Sequence, residues 1–146
     1  MLNLVGMGGT FDHLHDGHKF LIKTALSISQ KVVIGLTTRE MLKNKKYASK
    51  IENFQTRKIN LENYIKTITD LSRVEIIALT DPYGPPIRES EYQGLIVSQE
   101  TYPSALKLNQ KREENNLKPL ILIVIPMIKG ENYERFSSTA IRKNLN

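Results

Sequence analysis

Five short apolar segments that alternate with helical patterns constrain this chain more than any other feature. The apolar segments cover residues 2–7, 31–37, 73–80, 94–97 and 120–125, and the helical patterns cover residues 16–29, 51–68, 102–116 and 137–145. Because these segments are apolar throughout instead of alternating with polar residues, they predict a parallel sheet covered by helices on both faces. The sequence therefore predicts an α/β fold with five parallel strands, in one domain spanning residues 1–146. Ligands of such sheets bind beyond the carboxyl ends of the strands.

The absence of cysteine narrows the chemistry. A chain of 146 residues with 40% hydrophobic residues can bury a core without disulfides or a structural metal. With no cysteine, it has no thiolate nucleophile and no Cys-ligated zinc or iron–sulfur site. The longest nearly apolar segment, residues 120–128, is too short to span a bilayer, and no signal-peptide pattern opens the chain. We therefore expect a cytoplasmic protein without a membrane partner.

The net charge of +6 suggests an anionic partner. Nucleic acid, a membrane surface and a small phosphate compound all fit that charge alone. The aromatic residues, 7% of the chain, are spread out, and neither an RNP-like strand nor a recognition helix is present in the pattern. We expect no nucleic-acid partner, and a nucleic-acid-binding module stays the remote alternative.

All three histidines, His13, His15 and His18, lie within six residues. They follow a glycine pair at residues 8–9, where a missing Cβ lets a ligand approach the backbone. Gly17 lies where the next helix begins, and the N–H groups of a helix start attract anions together with the helix dipole. This pattern predicts a phosphate site with His18 in the first helical turn. A plain turn at the glycines is the alternative.

The same histidines could instead ligate Zn²⁺. His13 and His15 resemble the His-x-His that barrel hydrolases carry at the end of a first strand. Since the chain has no other histidine and no cysteine, a carboxylate such as Asp12, Asp16 or Asp81 would have to complete the ligand set. A purely structural role for His13 also stays open.

Two widely separated motifs resemble those of the nucleotidylyltransferase superfamily. GTFD at residues 9–12, followed by HDGH at residues 15–18, resembles its His-x-Gly-His signature, and SSTAIR at residues 137–142 resembles its second signature, a Ser/Thr-rich helix start. Three further stretches are similar to phosphopantetheine adenylyltransferases of the archaeal and eukaryotic type. These are TDPYGP at residues 80–85, VSQET at residues 97–101 and NQKREENNLKP at residues 109–119.

The resemblance implies a Rossmann-like nucleotidylyltransferase fold and a defined reaction. ATP and 4′-phosphopantetheine would give dephospho-coenzyme A and pyrophosphate, a step of coenzyme A biosynthesis, by direct in-line attack without a covalent enzyme intermediate. The attacking group is already a phosphate oxygen, so the chain needs no nucleophile of its own. It must hold two anions in line and stabilise the charge that grows on the α-phosphate.

The resemblance also implies site residues. The expected catalytic residues are His18, which would donate to the α-phosphate, His15, which would help to place the ATP phosphates or the adenine side, and Lys43. The residues expected on ATP are Gly8, Gly9, Thr10, Phe11, Gly17, His18, Glu100, Ser137, Ser138, Thr139 and Arg142. The residues expected on phosphopantetheine are Thr10, Asp12, Lys43, Lys46, Thr80, Asp81, Tyr83 and Ser98.

Several of these expectations have simpler alternatives. The lysine run around Lys43 and Lys46 could be a solvated loop, and between the two we favour Lys43 for the phosphates. The Ser/Thr run at residues 137–139 could be an ordinary helix cap. Arg57 is expected to face the phosphates as well. We expect Mg²⁺ to arrive on the ATP phosphates and waters, because no carboxylate cluster stands out in the sequence.

The sequence departs from the bacterial branch of these enzymes at one place. Ser98-Gln99 stands where that branch has an Arg-Gly pair. Sister enzymes share the first motif, so a glycerol-phosphate or choline-phosphate cytidylyltransferase, or an FMN adenylyltransferase, is the alternative function.

Overall fold

The computed structural model describes residues 1–42 and 48–126. Its centre is a sheet of five parallel strands in the order β3-β2-β1-β4-β5. The strands are β1 Leu2–Gly9, β2 Ser29–Thr37, β3 Val74–Leu79, β4 Gly94–Ser98 and β5 Ile121–Ile125. The predicted α/β fold with a five-stranded parallel sheet is therefore confirmed.

Four α-helices connect the strands within the described ranges. They are α1 Asp16–Ile28, α2 Arg39–Leu42, α3 Phe54–Ile68 and α4 Tyr102–Glu114. Helix α3 begins at Phe54 and not at residue 51, because the Asn53 side chain accepts a hydrogen bond from the Thr56 N–H at 2.8 Å and caps the helix there. The predicted helix at residues 137–145 lies outside the described residues.

Strand β1 extends through both glycines that the sequence placed in the following turn. Gly8 and Gly9 pair with Gly35 and Leu36 of β2 in the parallel register. A backbone ladder needs no side chains, so the glycines continue the strand although the apolar pattern ends at Met7. The glycine pair is thus the end of a central strand, and Thr10 is the first residue of the loop.

The two faces of the sheet carry two separate cores, because successive side chains of a strand point to opposite faces. Helices α1 and α3 cover one face, where Val5 and Ile34 are buried together with Ile22 of α1. Helix α4 covers the other face, where Leu108 packs with Val33 of β2. We call these the α1 face and the α4 face.

The strand order reverses direction beside β1. The chain proceeds from β1 through β2 to β3 on one side, and β4 and β5 lie on the other. In open α/β sheets this reversal opens a crevice at the carboxyl ends of the strands, where ligands bind. No helix within residues 1–42 and 48–126 is both long enough and apolar enough to cross a membrane.

Candidate active site

A cavity of about 280 Å³ lies at the carboxyl ends of the strands, on the α4 face. Most of its lining is apolar. The strands, the loop after β3 and the start of α4 supply its walls, among them Gly8, Gly9, Thr37, Leu79, Pro82, Tyr83, Pro85, Pro86, Val97, Thr101, Ser104, Ala105 and Leu108. The predicted meeting of loops at one edge of the sheet is thus present in the structure.

Glycines on β1 and β2 leave room beneath this cavity. A Cβ on Gly35 would lie 2.7 Å from side-chain atoms of Leu79, and one on Gly8 would lie 3.3 Å from that side chain. A Cβ on Gly6 would lie 3.3 Å from Cγ of Pro86. Because larger residues would collide with the wall of the cavity, these glycines are packing requirements as well as places of close approach.

On the α1 face of the same strand end, His15 and His18 form a pair at the start of α1. The Gly17 N–H donates to Nδ1 of His15 at 3.2 Å, and the His15 N–H donates to Nδ1 of His18 at 3.3 Å. The two rings stack with their centroids 3.7 Å apart. The Gly17 N–H, which we expected to bind an anion, is therefore already used in the cap of the helix.

Burial keeps both histidines neutral. It lowers the pKa of His15 to about 4, an effect that the nearby Asp16 opposes. Burial and the neighbouring His15 lower the pKa of His18 to about 3. Since Nδ1 of each ring accepts a hydrogen bond, the single proton of each neutral ring lies on Nε2. The pair therefore carries two neutral N–H groups, and the Nε2 atom of His15 is buried.

Phe11 joins the glycine strand end to this pair. Its side chain is buried, and its ring centroid lies 5.3 Å from that of His18. Its φ of 50° turns the chain sharply after Thr10, in a conformation that non-glycine residues rarely adopt. Phe11 thus offers only its backbone to a ligand, while its ring supports His18.

Arg57 does not face the phosphates as expected. It is only 1% exposed. Its Nη1 donates to the Thr10 carbonyl at 3.0 Å and to Oγ1 of Thr37 at 3.3 Å, and its Nε donates to the Glu52 carbonyl at 2.8 Å. Thr37 Oγ1 in turn donates to Oγ1 of Thr10 at 3.1 Å. Arg57 therefore holds the loop that carries Thr10.

His13 separates from the other two histidines and lies with two carboxylates. The Glu52 N–H donates to Oδ1 of Asp12 at 2.9 Å, and the His13 N–H donates to Oε1 of Glu52 at 2.7 Å. Ligand atoms of Asp12, His13 and Glu52 lie within 4.8 Å of one another. This is the one such set that residues 1–42 and 48–126 contain, and a three-histidine zinc site is absent from them.

This set does not suit Mg²⁺. Magnesium takes oxygen ligands in octahedral geometry and keeps several waters, whereas one of the three groups here is an imidazole. One oxygen of each carboxylate already accepts a backbone hydrogen bond. Asp12, which we expected on phosphopantetheine, is fully buried in this set and does not line the cavity. Its position is that of a residue that ties two loops together.

The Asp81 side chain fixes the conformation of the loop after β3. Oδ1 of Asp81 accepts the N–H groups of Tyr83 at 2.9 Å and Gly84 at 2.8 Å, and these bonds lower the pKa of that carboxyl group. Thr80 and Asp81 are exposed and do not line the cavity, whereas Tyr83 does. Asp81 therefore orders the loop and leaves the contact surface to Tyr83 and the prolines.

Ser98 and Glu100, the two site residues predicted at the end of β4, do not line the cavity. The Ser98 N–H donates to Oγ1 of Thr101 at 3.0 Å. Glu100 is exposed in the same turn. The cavity residues Thr101, Ser104 and Met41 were missed. The signal for the first two was available, because they stand at the start of the helix after a strand whose carboxyl end was expected at the site.

Other predicted site residues cannot be placed. Those that lie outside the described residues are Lys43, Lys46, Ser137, Ser138, Thr139 and Arg142. Their roles stay predictions.

Comparison with known proteins identifies the family. The Cytidylyltransferase-like family matches residues 7–144. The phosphopantetheine adenylyltransferase of Pyrococcus abyssi is 41% identical over 141 residues, which cover 97% of this chain and 89% of that protein. This chain belongs to the phosphopantetheine adenylyltransferase family. The family member of Saccharomyces cerevisiae is 38% identical over 98% of this chain, and the chain spans 48% of its length.

A solved structure supports the same fold. The crystal structure of a protein of unknown function from Archaeoglobus fulgidus superposes with a TM-score of 0.72 at 33% identity, and the match covers 86% of this chain and 89% of that one. The Rossmann-like nucleotidylyltransferase fold is thus confirmed by strand order and family together.

Proposed function

We propose that this chain transfers the adenylyl group of ATP to 4′-phosphopantetheine and so takes part in coenzyme A biosynthesis. A phosphate oxygen of phosphopantetheine attacks the α-phosphorus of ATP, a new P–O bond forms, and the bond between that phosphorus and the bridging oxygen of the β-phosphate breaks. The products are dephospho-coenzyme A and pyrophosphate. Family membership supports the reaction, and the site supports the way in which the chain assists it.

The observation that carries this proposal is that two different surfaces, a histidine pair and an apolar cavity, lie on opposite sides of the end of β1. A pair of N–H donors, His15 and His18, lies on the α1 face, and a mostly apolar cavity lies on the α4 face. Thr10 follows the strand end between them. An adenylyl transferase needs this arrangement, because a polyphosphate and a long neutral arm must approach one phosphorus atom from opposite sides.

On the donor side, His18 would donate its Nε2–H to an oxygen of the α-phosphate as negative charge grows there. His15, stacked on His18 at 3.7 Å, would hold the neighbouring phosphates. Neutral donors suit this role, since they stabilise the developing charge without a proton transfer and are fixed in place by the helix cap. The Thr10 hydroxyl and the Phe11 N–H would contact phosphate where the two substrates meet.

On the acceptor side, the cavity would take the pantetheine arm. That arm is neutral and carries amide groups, so it needs apolar walls with a few polar partners. Tyr83 and the loop prolines supply apolar surface, and Thr101 and Ser104 supply hydroxyl groups. The phosphate end of the acceptor would lie towards Thr37 and Thr10, which are joined by a 3.1 Å hydrogen bond.

Further charges would come from residues that the resemblance implies. Lys43 or Lys46 would bind the reacting phosphates, and Ser137, Ser138, Thr139 and Arg142 would bind the β- and γ-phosphates. Mg²⁺ would enter as the ATP complex and neutralise charge on the phosphates when bound. We infer that residues 1–146 act as one adenylyltransferase domain in the cytoplasm.

The decisive experiment measures pyrophosphate release from ATP with and without phosphopantetheine. We expect release that depends on phosphopantetheine, together with formation of dephospho-coenzyme A. The control arms replace ATP by CTP, with glycerol phosphate or choline phosphate as acceptor, and replace phosphopantetheine by FMN. Turnover in one of these arms, with none between ATP and phosphopantetheine, would contradict the proposal.

A further inference from the structure

Residues 109–119 resemble a stretch of the archaeal and eukaryotic enzymes, but the reaction described so far gives them no role. This stretch contains a buried cation. Arg112 lies in the last turn of α4 and is 1% exposed. Within the described part of the chain, only Arg57 and Arg112 are arginines buried to this degree. A charged group is buried at high cost unless hydrogen bonds satisfy it, so its partners indicate what it is for.

The partners of Arg112 are backbone carbonyl groups of two loops. Its Nη1 donates to the carbonyl oxygens of Pro86 and, at 2.9 Å, of Glu89. Its Nε donates to the Lys118 carbonyl at 2.8 Å. Pro86 lines the cavity and Glu89 lies three residues after it, whereas Lys118 belongs to the turn between α4 and β5. Arg112 thus joins the loop after β3 to the helix behind it.

The loop also has bonds of its own, since Asp81 accepts the N–H groups of Tyr83 and Gly84, and the Arg88 and Glu89 N–H groups donate to the Pro85 carbonyl at 3.0 and 3.1 Å. Pro85 and Pro86 have no N–H to donate, so this turn is fixed through its carbonyl groups. The Pro86 side chain is buried against strand β1. A Cβ on Gly6 of that strand would lie only 3.3 Å from Cγ of Pro86. Lys111, the neighbour of Arg112, also places its Nζ 5.8 Å from the centroid of the Tyr83 ring.

Resting on the proposed function, we propose that Arg112 is a positioning residue for phosphopantetheine. Its guanidinium group lies behind the wall of the cavity, not in it, and holds Pro86 so that the loop presents Pro85, Pro86 and Tyr83 to the acceptor arm. The histidine pair on the α1 face is independent of this contact. Loss of Arg112 therefore weakens acceptor binding and leaves ATP binding and the chemical step intact.

The test compares Arg112→Met, Arg112→Lys and the control Asn109→Ala. Asn109 lies in the same stretch and bonds both backbone groups of Leu120, at 2.7 and 3.1 Å, but touches neither Pro86 nor the cavity.

For Arg112→Met we expect the KM for phosphopantetheine to rise roughly tenfold, the scale of one lost charged hydrogen bond, with kcat and the KM for ATP within about twofold. Arg112→Lys recovers part of this loss, because an ammonium group can still donate to one of the carbonyls. Asn109→Ala lowers stability and leaves all three constants unchanged.

A second measurement separates this inference from the proposed function. Hydrogen exchange of the amides in residues 87–92 should accelerate at least about tenfold in Arg112→Met and by less in Arg112→Lys, while exchange in α1 stays as in the wild type. If exchange in this segment does not change, or if kcat falls and the KM for phosphopantetheine does not rise, Arg112 does not position the acceptor. If the wild type has no phosphopantetheine-dependent turnover but exchange accelerates as expected, the loop contact stands and the assignment of the acceptor is wrong.

Discussion

Replacing His18 by asparagine or by glutamine separates its two functions, which use different ring nitrogens. Nδ1 accepts the His15 N–H at 3.3 Å and completes the cap of α1, and Nε2 is the proposed donor to the α-phosphate. In His18→Asn, Oδ1 lies as many bonds from Cα as Nδ1 does, so the cap is retained and the donor is lost. In His18→Gln, the amide nitrogen takes the place of Nε2. His18→Ala removes both.

The magnitudes follow from these contacts. Loss of a donor to a developing oxyanion costs about 10²- to 10³-fold in kcat, so we expect this loss for His18→Asn. His18→Gln should be at least about fivefold faster than His18→Asn, because it restores an N–H at the same reach. The lost cap bond should lower the free energy of unfolding of His18→Ala by about 1 kcal/mol more than that of His18→Asn.

The assay is steady-state pyrophosphate release at saturating ATP and phosphopantetheine, with urea unfolding of each variant. His13→Asn is the matched control, since His13 lies in the same segment with Asp12 and Glu52 and has a φ of 47°, a conformation that asparagine tolerates. Its kcat should stay within about twofold of the wild type, because no donor to the phosphates is lost. A kcat for His18→Asn within about fivefold of the wild type would refute the donor role.

Because burial lowers the pKa of His15 to about 4 and of His18 to about 3, the unfolded chain takes up protons first as the pH falls below the ordinary histidine pKa of 6.5, and stability is lost in that range. From pH 7 to pH 5 the free energy of unfolding should fall by about 2 kcal/mol through His18, the more deeply buried of the two, and by a smaller amount through His15. Urea unfolding of His18→Asn should therefore show less than half of the fall that the wild type shows. Gly35→Ala places a Cβ 2.7 Å from Leu79 and should cost about 1–3 kcal/mol of stability, whereas an unchanged Tm would show that Leu79 moves freely. Arg57→Lys should lower kcat more than it raises the KM for phosphopantetheine, the reverse of Arg112→Met, because Arg57 holds the Thr10 carbonyl at 3.0 Å; equal patterns in the two variants would contradict separate roles.

The fold could be predicted from the sequence because its strands are apolar on both sides. Each of the five apolar segments became a strand, and the order of elements was right as far as Ile125. The errors lie at the ends of elements and in one short helix that was not predicted. Strand β1 runs on through Gly8 and Gly9, whose pairing with β2 leaves no trace in side-chain character. The short helix α2 has only four residues, Arg39–Leu42, too few to show a helical period.

A candidate site can be proposed from the sequence where its residues are close together in the chain, and not where distant segments meet. The sequence singled out the segment with His15 and His18 and the loop with Tyr83, and both follow carboxyl ends of strands in the structure, while their contacts with substrates stay predictions. The hydrogen bond between Asp12 and the N–H of Glu52 joins residues 40 apart, and a single sequence carries no sign of it. The sequence therefore could not show that Asp12 is buried and lies outside the cavity, because an aspartate that joins two loops and one that contacts a ligand look the same in a sequence.

The two buried arginines weaken the inference from the net charge of the chain to an anionic partner. The net charge of +6 counts Arg57 and Arg112 as if they could meet an anion, but both are 1% exposed and direct their N–H groups at carbonyl oxygens and one hydroxyl group. In the part of the site that the structure describes, the donors proposed for the phosphates are neutral groups, namely two imidazoles, a hydroxyl group and a backbone N–H. Catalysis by these groups would depend on the direction of each donor more than on attraction at a distance. The buried cations would contribute to it indirectly, because they hold Thr10 and Pro86, the ends of the two loops between which the substrates would meet.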